Sequence, residues 1–266
     1  MNDIGIIGLG NMGEAILKAL LKTGMRKDKI RCAEAKPGRL RFIKESYGVE
    51  CMSGIEEIAA TSDRIIIAVK PQDSSDLLHN CAPLIREQTV LISIMAGITT
   101  SNILSLVGKP AKVVRVMPNV CVKVGEGVMG ITANHFVTRE EMEETQRIFE
   151  PLGRMVEVNE DLMDGVTALG GSGPAFLLLF LEGMIDSGVN MGIPRDKAKI
   201  LSLQVLKGTA KMLEDEDIHP TIMKEMITSP GGTTIAGLVS LEKDGVRGSV
   251  IKAIEKAGKR AKKLSL

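Results

Sequence analysis

The sequence predicts an α/β chain in which a doubly wound parallel sheet is followed by an all-helical region. Three observations carry this. Short β-branched runs alternate with amphipathic stretches to about residue 160. The first apolar run passes straight into Gly8-Leu9-Gly10-Asn11-Met12-Gly13, and helical spacing follows. Beyond about residue 160 the strand signals stop, and the remaining periodic segments recur with a 3.6-residue spacing.

In chain order, residues 2–22 read as a strand, a tight turn and a helix, with Ile4, Ile6 and Ile7 as the strand's β-branched residues. Residues 30–35 form a second strand. Residues 37–47 are a helix that Gly48 would end in the left-handed conformation. A short helix over 55–60 precedes a buried strand over 64–69. Helices over 74–85 and 99–107 bracket a strand over 89–95, and strands over 112–116 and 128–132 extend the sheet. An acidic amphipathic helix over 139–150 and a strand over 155–158 complete it. Residues 161–188, 196–214, 221–227, 233–242 and 246–264 read as helices. The expected domains are therefore 1–160, dinucleotide-binding and of Rossmann type, and 161–266, helical.

Composition narrows the function class. Thirty-four basic residues against thirty-three acidic ones leave a net charge of +1, so no charge imbalance favours nucleic acid or an anionic membrane. The basic stretch over 252–263 lies in the last turns of a terminal helix, where cations complement the dipole. Cys32, Cys51, Cys81 and Cys121 form no paired motif, and three histidines give no zinc spacing, so no metal is expected. Free thiols and the lack of a basic run before the first apolar segment point to a cytoplasmic protein. The apolar stretch 175–181 ends at Glu182 and reads as too short to cross a bilayer. The helical region is nevertheless apolar on most faces, which a small domain can bury only against another body, so a homodimer is expected.

The glycine-rich turn carries the first chemistry. Gly8 allows the sharp bend, Gly10 lets backbone approach a pyrophosphate, and Gly13 lets the helix pack on its strand. Ile7, Leu9, Asn11 and Met12 complete this expected cofactor loop, whose N–H groups and helix dipole suit phosphate. Glu34 lies about 20 residues beyond Gly13, where a carboxylate accepts ribose hydroxyls and repels a 2′-phosphate. Lys36 and Arg39 lie close by and suit a 2′-phosphate instead, so the reading inclines only slightly to NADH over NADPH. Ala68-Val69-Lys70-Pro71 and Met95-Ala96-Gly97 end two later strands, where an open sheet places the rest of a dinucleotide.

Two further stretches stand out. Ser229-Pro230-Gly231-Gly232-Thr233-Thr234 precedes a helix start, where consecutive N–H groups can hold a small anion or simply be capped. The glycine-rich run 164–176 marks a break inside a helical segment. From Gly165 to Asp196 there is no lysine or histidine to protonate a developing alkoxide, which favours a reaction that makes none.

These stretches together resemble the pyrroline-5-carboxylate reductase family. The resemblance is carried by the glycine-rich loop, Ala68-Val69-Lys70-Pro71, Met117-Pro118-Asn119, Ser172-Gly173-Pro174-Ala175, His219-Pro220 and the run Ser229 to Thr234. It spans essentially the whole chain. It implies NAD(P)H-dependent reduction of Δ1-pyrroline-5-carboxylate to L-proline, a homodimer built by the helical domain, and in some members assembly of dimers into decamers. It also implies that the N–H groups of Gly232, Thr233 and Thr234 hold the substrate carboxylate. The Thr234 hydroxyl would meet the ring nitrogen as the catalytic contact, and Asp217 would sit near the substrate amine. The chain departs from the family pattern at Val120-Cys121, Gly170, Phe176 and Asp217. A reductase of another cyclic imine or small oxo acid, and a non-catalytic nucleotide sensor, are the competing readings.

Overall fold

The computed structural model describes residues 3–52 and 54–264. Asn2, at the start of the expected first motif, lies outside the described residues, as do the outermost ends of the two expected domains. The chain divides into two compact units. One runs to Gly171 and takes in the chain again from Ala257 onward, and the other is Ser172–Lys256.

The first unit is built as β1 (Ile4–Ile7), α1 (Asn11–Lys22), β2 (Ile30–Ala33), α2 (Pro37–Tyr47), β3 (Glu50–Met52), α3 (Glu56–Thr61), β4 (Arg64–Ile67) and α4 (Ser74–Cys81). It continues with β5 (Val90–Ser93), α5 (Thr100–Val107), β6 (Lys112–Pro118), β7 (Gly127–Ala133), α6 (Arg139–Phe149), β8 (Gly153–Glu157) and α7 (Met163–Val166). The eight strands form one sheet in the order β3-β2-β1-β4-β5-β6-β7-β8. The chain runs outward from β1 in one direction and then from β4 in the other. The switch point therefore falls between β1 and β4, where open α/β sheets bind their ligands.

Two features differ from expectation. β3 is an additional strand: only Glu50, Cys51 and Met52 pair, parallel to β2, and so short an edge carries no period of its own. The sheet is not wholly parallel, because β7 runs antiparallel to β6. The connection from Pro118 to Gly127 is too short for a parallel crossover, so the strand must return.

The core follows from the strand sequences. β1, β4 and β5 are buried at every residue, as strands covered on both faces must be. Their side chains feed two clusters, one around Ile6, Ile16, Val114 and Phe149, the other around Ile65, Leu78, Leu91 and Ile103.

The second unit contains α8 (Gly173–Asn190), α9 (Arg195–Glu216), α10 (Pro220–Met226), α11 (Thr233–Lys243) and most of α12 (Val246–Leu264). The expected helix over 161–188 is not continuous. Thr167–Gly171 winds as a π-helix, and α8 restarts with Pro174 in its first turn. The run Glu160–Asn190 is also longer and more apolar than the 175–181 stretch suggested. An 18-residue window within its 31 residues reaches a mean hydropathy of 1.5, enough by length and composition to cross a membrane, with 6% of that window buried. The earlier expectation stopped at Glu182, although one charge does not end an apolar helix.

Candidate active site

The cofactor half of the site grows from the C-terminal ends of β1, β2, β4 and β5. Gly8 has φ +93°, and a Cβ there would lie 2.8 Å from the Ala68 carbonyl group, so the turn closes only with glycine. A Cβ on Gly13 would run into the Gly8 carbonyl oxygen. Gly10, the residue before α1, has nothing within 4 Å of where its Cβ would point. Two glycines are thus fixed by contacts within the protein, whereas Gly10 faces open space at a helix N-terminus. That is the cradle a pyrophosphate needs, and Asn11 and Met12 begin the helix beside it.

Backbone bonds hold the surrounding turns together. The Gly8 N–H donates to the Ala33 carbonyl at 2.9 Å, and the Ala68 N–H donates to the Ile7 carbonyl at 2.8 Å. The Ile94 N–H donates to the Ile67 carbonyl at 3.1 Å. Ala68, Val69 and Lys70 leave β4 beside the glycine-rich loop, with Lys70 exposed before Pro71. Met95 is buried, Ala96 is exposed, and Gly97 turns the chain with φ +77°.

Glu34 occupies the end of β2. Its carboxylate accepts the Leu9 N–H at 2.8 Å and the Lys36 N–H at 3.1 Å, so it is held against the loop. Arg39 is committed elsewhere. Its Nε donates to the Leu9 carbonyl at 2.7 Å, and its guanidinium pairs with Glu14. Lys18 pairs with Glu14 at 3.0 Å, and the Tyr47 hydroxyl donates to Glu14 at 2.5 Å. Burial pushes the Glu14 carboxyl up, but bonds from Tyr47, Arg39 and Lys18 outweigh it and bring it to about 2.

Asn119 supports this unit in a way that residue type alone did not assign. It is buried, its Nδ2 donates to the Gly170 carbonyl at 3.1 Å, and its Oδ1 accepts the Cys121 N–H at 3.1 Å. It therefore binds the π-helical turn and caps the turn after β6. A polar residue directly after Pro118, at a strand end, is the sequence signal for it.

The second unit carries the other candidate residues. Gly231 lies in the left-handed region with φ +67°, and Gly232 is the cap residue of α11. A Cβ at Gly232 would meet the Ser229 hydroxyl at 2.5 Å. The Gly232 N–H donates to the Ser229 carbonyl at 3.1 Å. The turn uses the Gly232 donor itself, leaving those of Thr233 and Thr234, which open the helix and have no carbonyl one turn back. Asp217 ends α9 in the left-handed conformation with φ 48°, the one positive φ outside glycine among the described residues. His219 caps α10, its Nδ1 accepting the Thr221 N–H at 3.2 Å.

Among the described residues no cluster of three or more His, Cys, Asp or Glu side chains could hold a metal ion.

The comparisons with known proteins agree along the whole chain. Residues 160–264 match the family model described as pyrroline-5-carboxylate reductase dimerisation. Residues 3–97 match the one described as NADP oxidoreductase, coenzyme F420-dependent. The pyrroline-5-carboxylate reductase of Methanosarcina acetivorans is 37% identical over 262 residues, covering 98% of this chain and 97% of that protein. That of Aquifex aeolicus is 36% identical over 261 residues, covering 98% and 97%. The solved structure of a pyrroline-5-carboxylate reductase from Coxiella burnetii superposes with a TM-score of 0.94 at 31% identity, covering 100% of this chain and 99% of that one. The Plasmodium falciparum pyrroline carboxylate reductase, solved with NADP bound, superposes with a TM-score of 0.89 at 34% identity, covering 100% and 98%.

Proposed function

The chain belongs to the pyrroline-5-carboxylate reductase family, and from that premise we propose that it reduces Δ1-pyrroline-5-carboxylate to L-proline. The observation that carries this is the pairing of two motifs in one chain. One is a glycine-rich loop left open only at Gly10, and the other is a helix start at which the Thr233 and Thr234 N–H groups have no carbonyl one turn back. When bound, NAD(P)H supplies the hydride. Gly10, Asn11 and Met12 cradle its pyrophosphate, Glu34 orients its adenosine ribose, and the turns at Lys70 and at Ala96-Gly97 hold the rest.

The protein's own chemical task is small. A protonated cyclic imine is already an electrophile, so no strong general acid is needed, in keeping with the lack of lysine and histidine from Gly165 to Asp196. Thr233 and Thr234 fix the substrate carboxylate with backbone N–H donors, and the Thr234 hydroxyl meets the ring nitrogen. Asp217, held in place by the turn after α9, stands near the amine. Replacing Thr234 by Val then lowers kcat only about tenfold, since orientation rather than proton transfer is lost.

For the cofactor we favour NADH. Glu34 puts a carboxylate where a 2′-phosphate would go, and Arg39 is already committed to the Leu9 carbonyl and Glu14. Lys36 remains to offset part of that repulsion. Residues 1–160 form the cofactor domain, and 161–266 form the dimerisation and substrate domain. Two chains pair through the apolar faces of α8 and α9, and such dimers can assemble further into decamers. The Glu160–Asn190 run is read as interface rather than span. A π-helical turn and Pro174 interrupt it, and Glu160, Asp161, Asp164, Glu182 and Asp186 lie along it. The enzyme is cytoplasmic in this reading.

The direct test follows oxidation of NADH and of NADPH separately with Δ1-pyrroline-5-carboxylate. Fast turnover with a preference for NADH is expected. Tight cofactor binding without turnover would overturn the assignment and favour a sensing role.

A further inference from the structure

The centre of β6 holds a charged residue where the sheet has no ordinary use for one. Arg115 is 2% exposed and follows Val113 and Val114 along the strand. It is registered beside Ser93 of β5 and Thr132 of β7, both buried. Burying a guanidinium is costly unless it is paired. Here Nη1 reaches the Glu160 Oε1 at 3.3 Å, while Nε and Nη2 are buried without an acceptor among the described residues. A valine in this place would serve stability better.

What Arg115 holds is informative. The Glu160 carboxylate accepts the Thr100 N–H at 2.9 Å and also the Thr100 hydroxyl. Thr100 is the first residue of α5, so Glu160 binds an otherwise unpaired N–H and complements the helix dipole. Thr99, one residue earlier, is already fixed by a reciprocal capping box with Asn102. The start of α5 is thus clamped twice, once by its own sequence and once from a distance. The turn immediately before it is Met95-Ala96-Gly97.

We infer that Arg115, Glu160 and Thr100 form a positioning relay that holds the β5–α5 turn for the nicotinamide end of the cofactor. This rests on the assignment of that turn to the cofactor made above. Arg115 orients Glu160, and Glu160 fixes the entry into α5. Ala96 and Gly97 are then presented in one conformation rather than several. None of the three residues needs to touch the cofactor or the substrate.

The test uses the full-length enzyme with Thr100→Val, Glu160→Ala, Arg115→Met and Arg115→Lys. Thr100→Val is the mild variant, removing one hydroxyl at constant shape. Four quantities are measured: melting temperature, amide hydrogen exchange at residues 95–100 without cofactor, NADH dissociation constant, and the primary isotope effect on kcat with NADH deuterated at the transferred position. Faster exchange at 95–100 is expected in Thr100→Val and Glu160→Ala. Both should bind NADH a few-fold more weakly, and both should lose about tenfold in kcat with a larger isotope effect, because a misplaced donor makes hydride transfer limiting. The KM for the imine should stay unchanged, and Arg115→Lys should recover part of what Arg115→Met loses. Lower melting temperatures with exchange, NADH affinity and isotope effect all unchanged would overturn the inference. If the wild-type enzyme fails to turn over the imine, the functional assignment falls, and exchange and NADH affinity still decide the relay on their own.

Discussion

The two units dispose of their apolar residues in opposite ways. β4 is four residues long and every one is buried, and β1 and β5 are the same. α8 is 18 residues long, and Gly188 is its one buried residue. Leu179 is 72% exposed, and Leu177, Leu178 and Phe180 are about half exposed or more. α9 repeats the pattern with Ile200, Leu201, Leu203 and Val205. The first unit closes its core within one chain. The second leaves broad apolar faces exposed, and exposed apolar patches of this extent mark an interface. Stability should therefore be a property of the chain in one unit and of concentration in the other.

The largest expected effect tests that difference. Leu178→Asp combined with Leu201→Asp places two carboxylates on faces that are solvent-exposed in a single chain. In an isolated chain the change is nearly neutral. In a dimer each buried charge costs several kcal/mol, so association should weaken by more than ~100-fold. Sedimentation should show a monomer, and activity should fall with it, while NADH binding to the first unit persists. A dimer of undiminished affinity would break the comparison.

The next effect sharpens the self-contained half. Gly13→Ala forces a Cβ onto the Gly8 carbonyl, within a packed unit that cannot yield. A loss of roughly 2–3 kcal/mol in stability, independent of protein concentration, is expected from overpacking backbone in this way. Gly10→Ala meets nothing within 4 Å and should leave the melting temperature in place. It should instead weaken NADH binding at least ~10-fold, because the methyl occupies the phosphate cradle. Denaturation and cofactor titration of the two variants separate the roles.

A smaller effect concerns selectivity. Glu34→Ala removes the acceptor for the Leu9 and Lys36 N–H groups and the charge proposed to face the ribose. The NADPH to NADH ratio of kcat/KM should rise about tenfold, equivalent to about 1.4 kcal/mol. An unchanged ratio would move the discrimination to Lys36.

Much of this was legible in the sequence where local rules act alone. Gly8 and Gly13 disclose their roles through spacing, because turn and packing each need a missing Cβ. The alternation of strands and helices was legible for the same reason. The turn direction of β7, the pairing of Glu50–Met52 and the π-helical turn at Thr167–Gly171 were not. The first turns on the length of the connection from β6, and the other two on partners far along the chain, β2 for the second and Asn119 for the third. The turn bond made by the Gly232 donor was not legible either, for a local reason. Ser229 closes a turn onto it, and a run of glycines before a helix does not reveal which N–H the turn itself consumes. Arg115 gave no signal at all, since one arginine in a strand reads as an outward-facing residue until the sheet is covered on both faces.

The smallest effect returns to the first unit and its independence from concentration. Glu14 joins α1 to α2 through Arg39 and Tyr47, directly behind the cofactor loop. Its carboxyl lies near 2 when folded against an ordinary value of 4.5. A depressed folded value means that the ionised form stabilises the fold. That contribution is complete above about pH 4.5 and is lost as the pH falls toward 2. Tyr47→Phe removes one donor and should cost about 1 kcal/mol at neutral pH. Relative to wild type, its deficit should shrink as the pH falls through that window, because the protonated carboxyl no longer needs the bond. Because α1 and α2 belong to the closed unit, the deficit should not change with protein concentration. A deficit that grows on dilution would instead couple this network to the association of the helical unit.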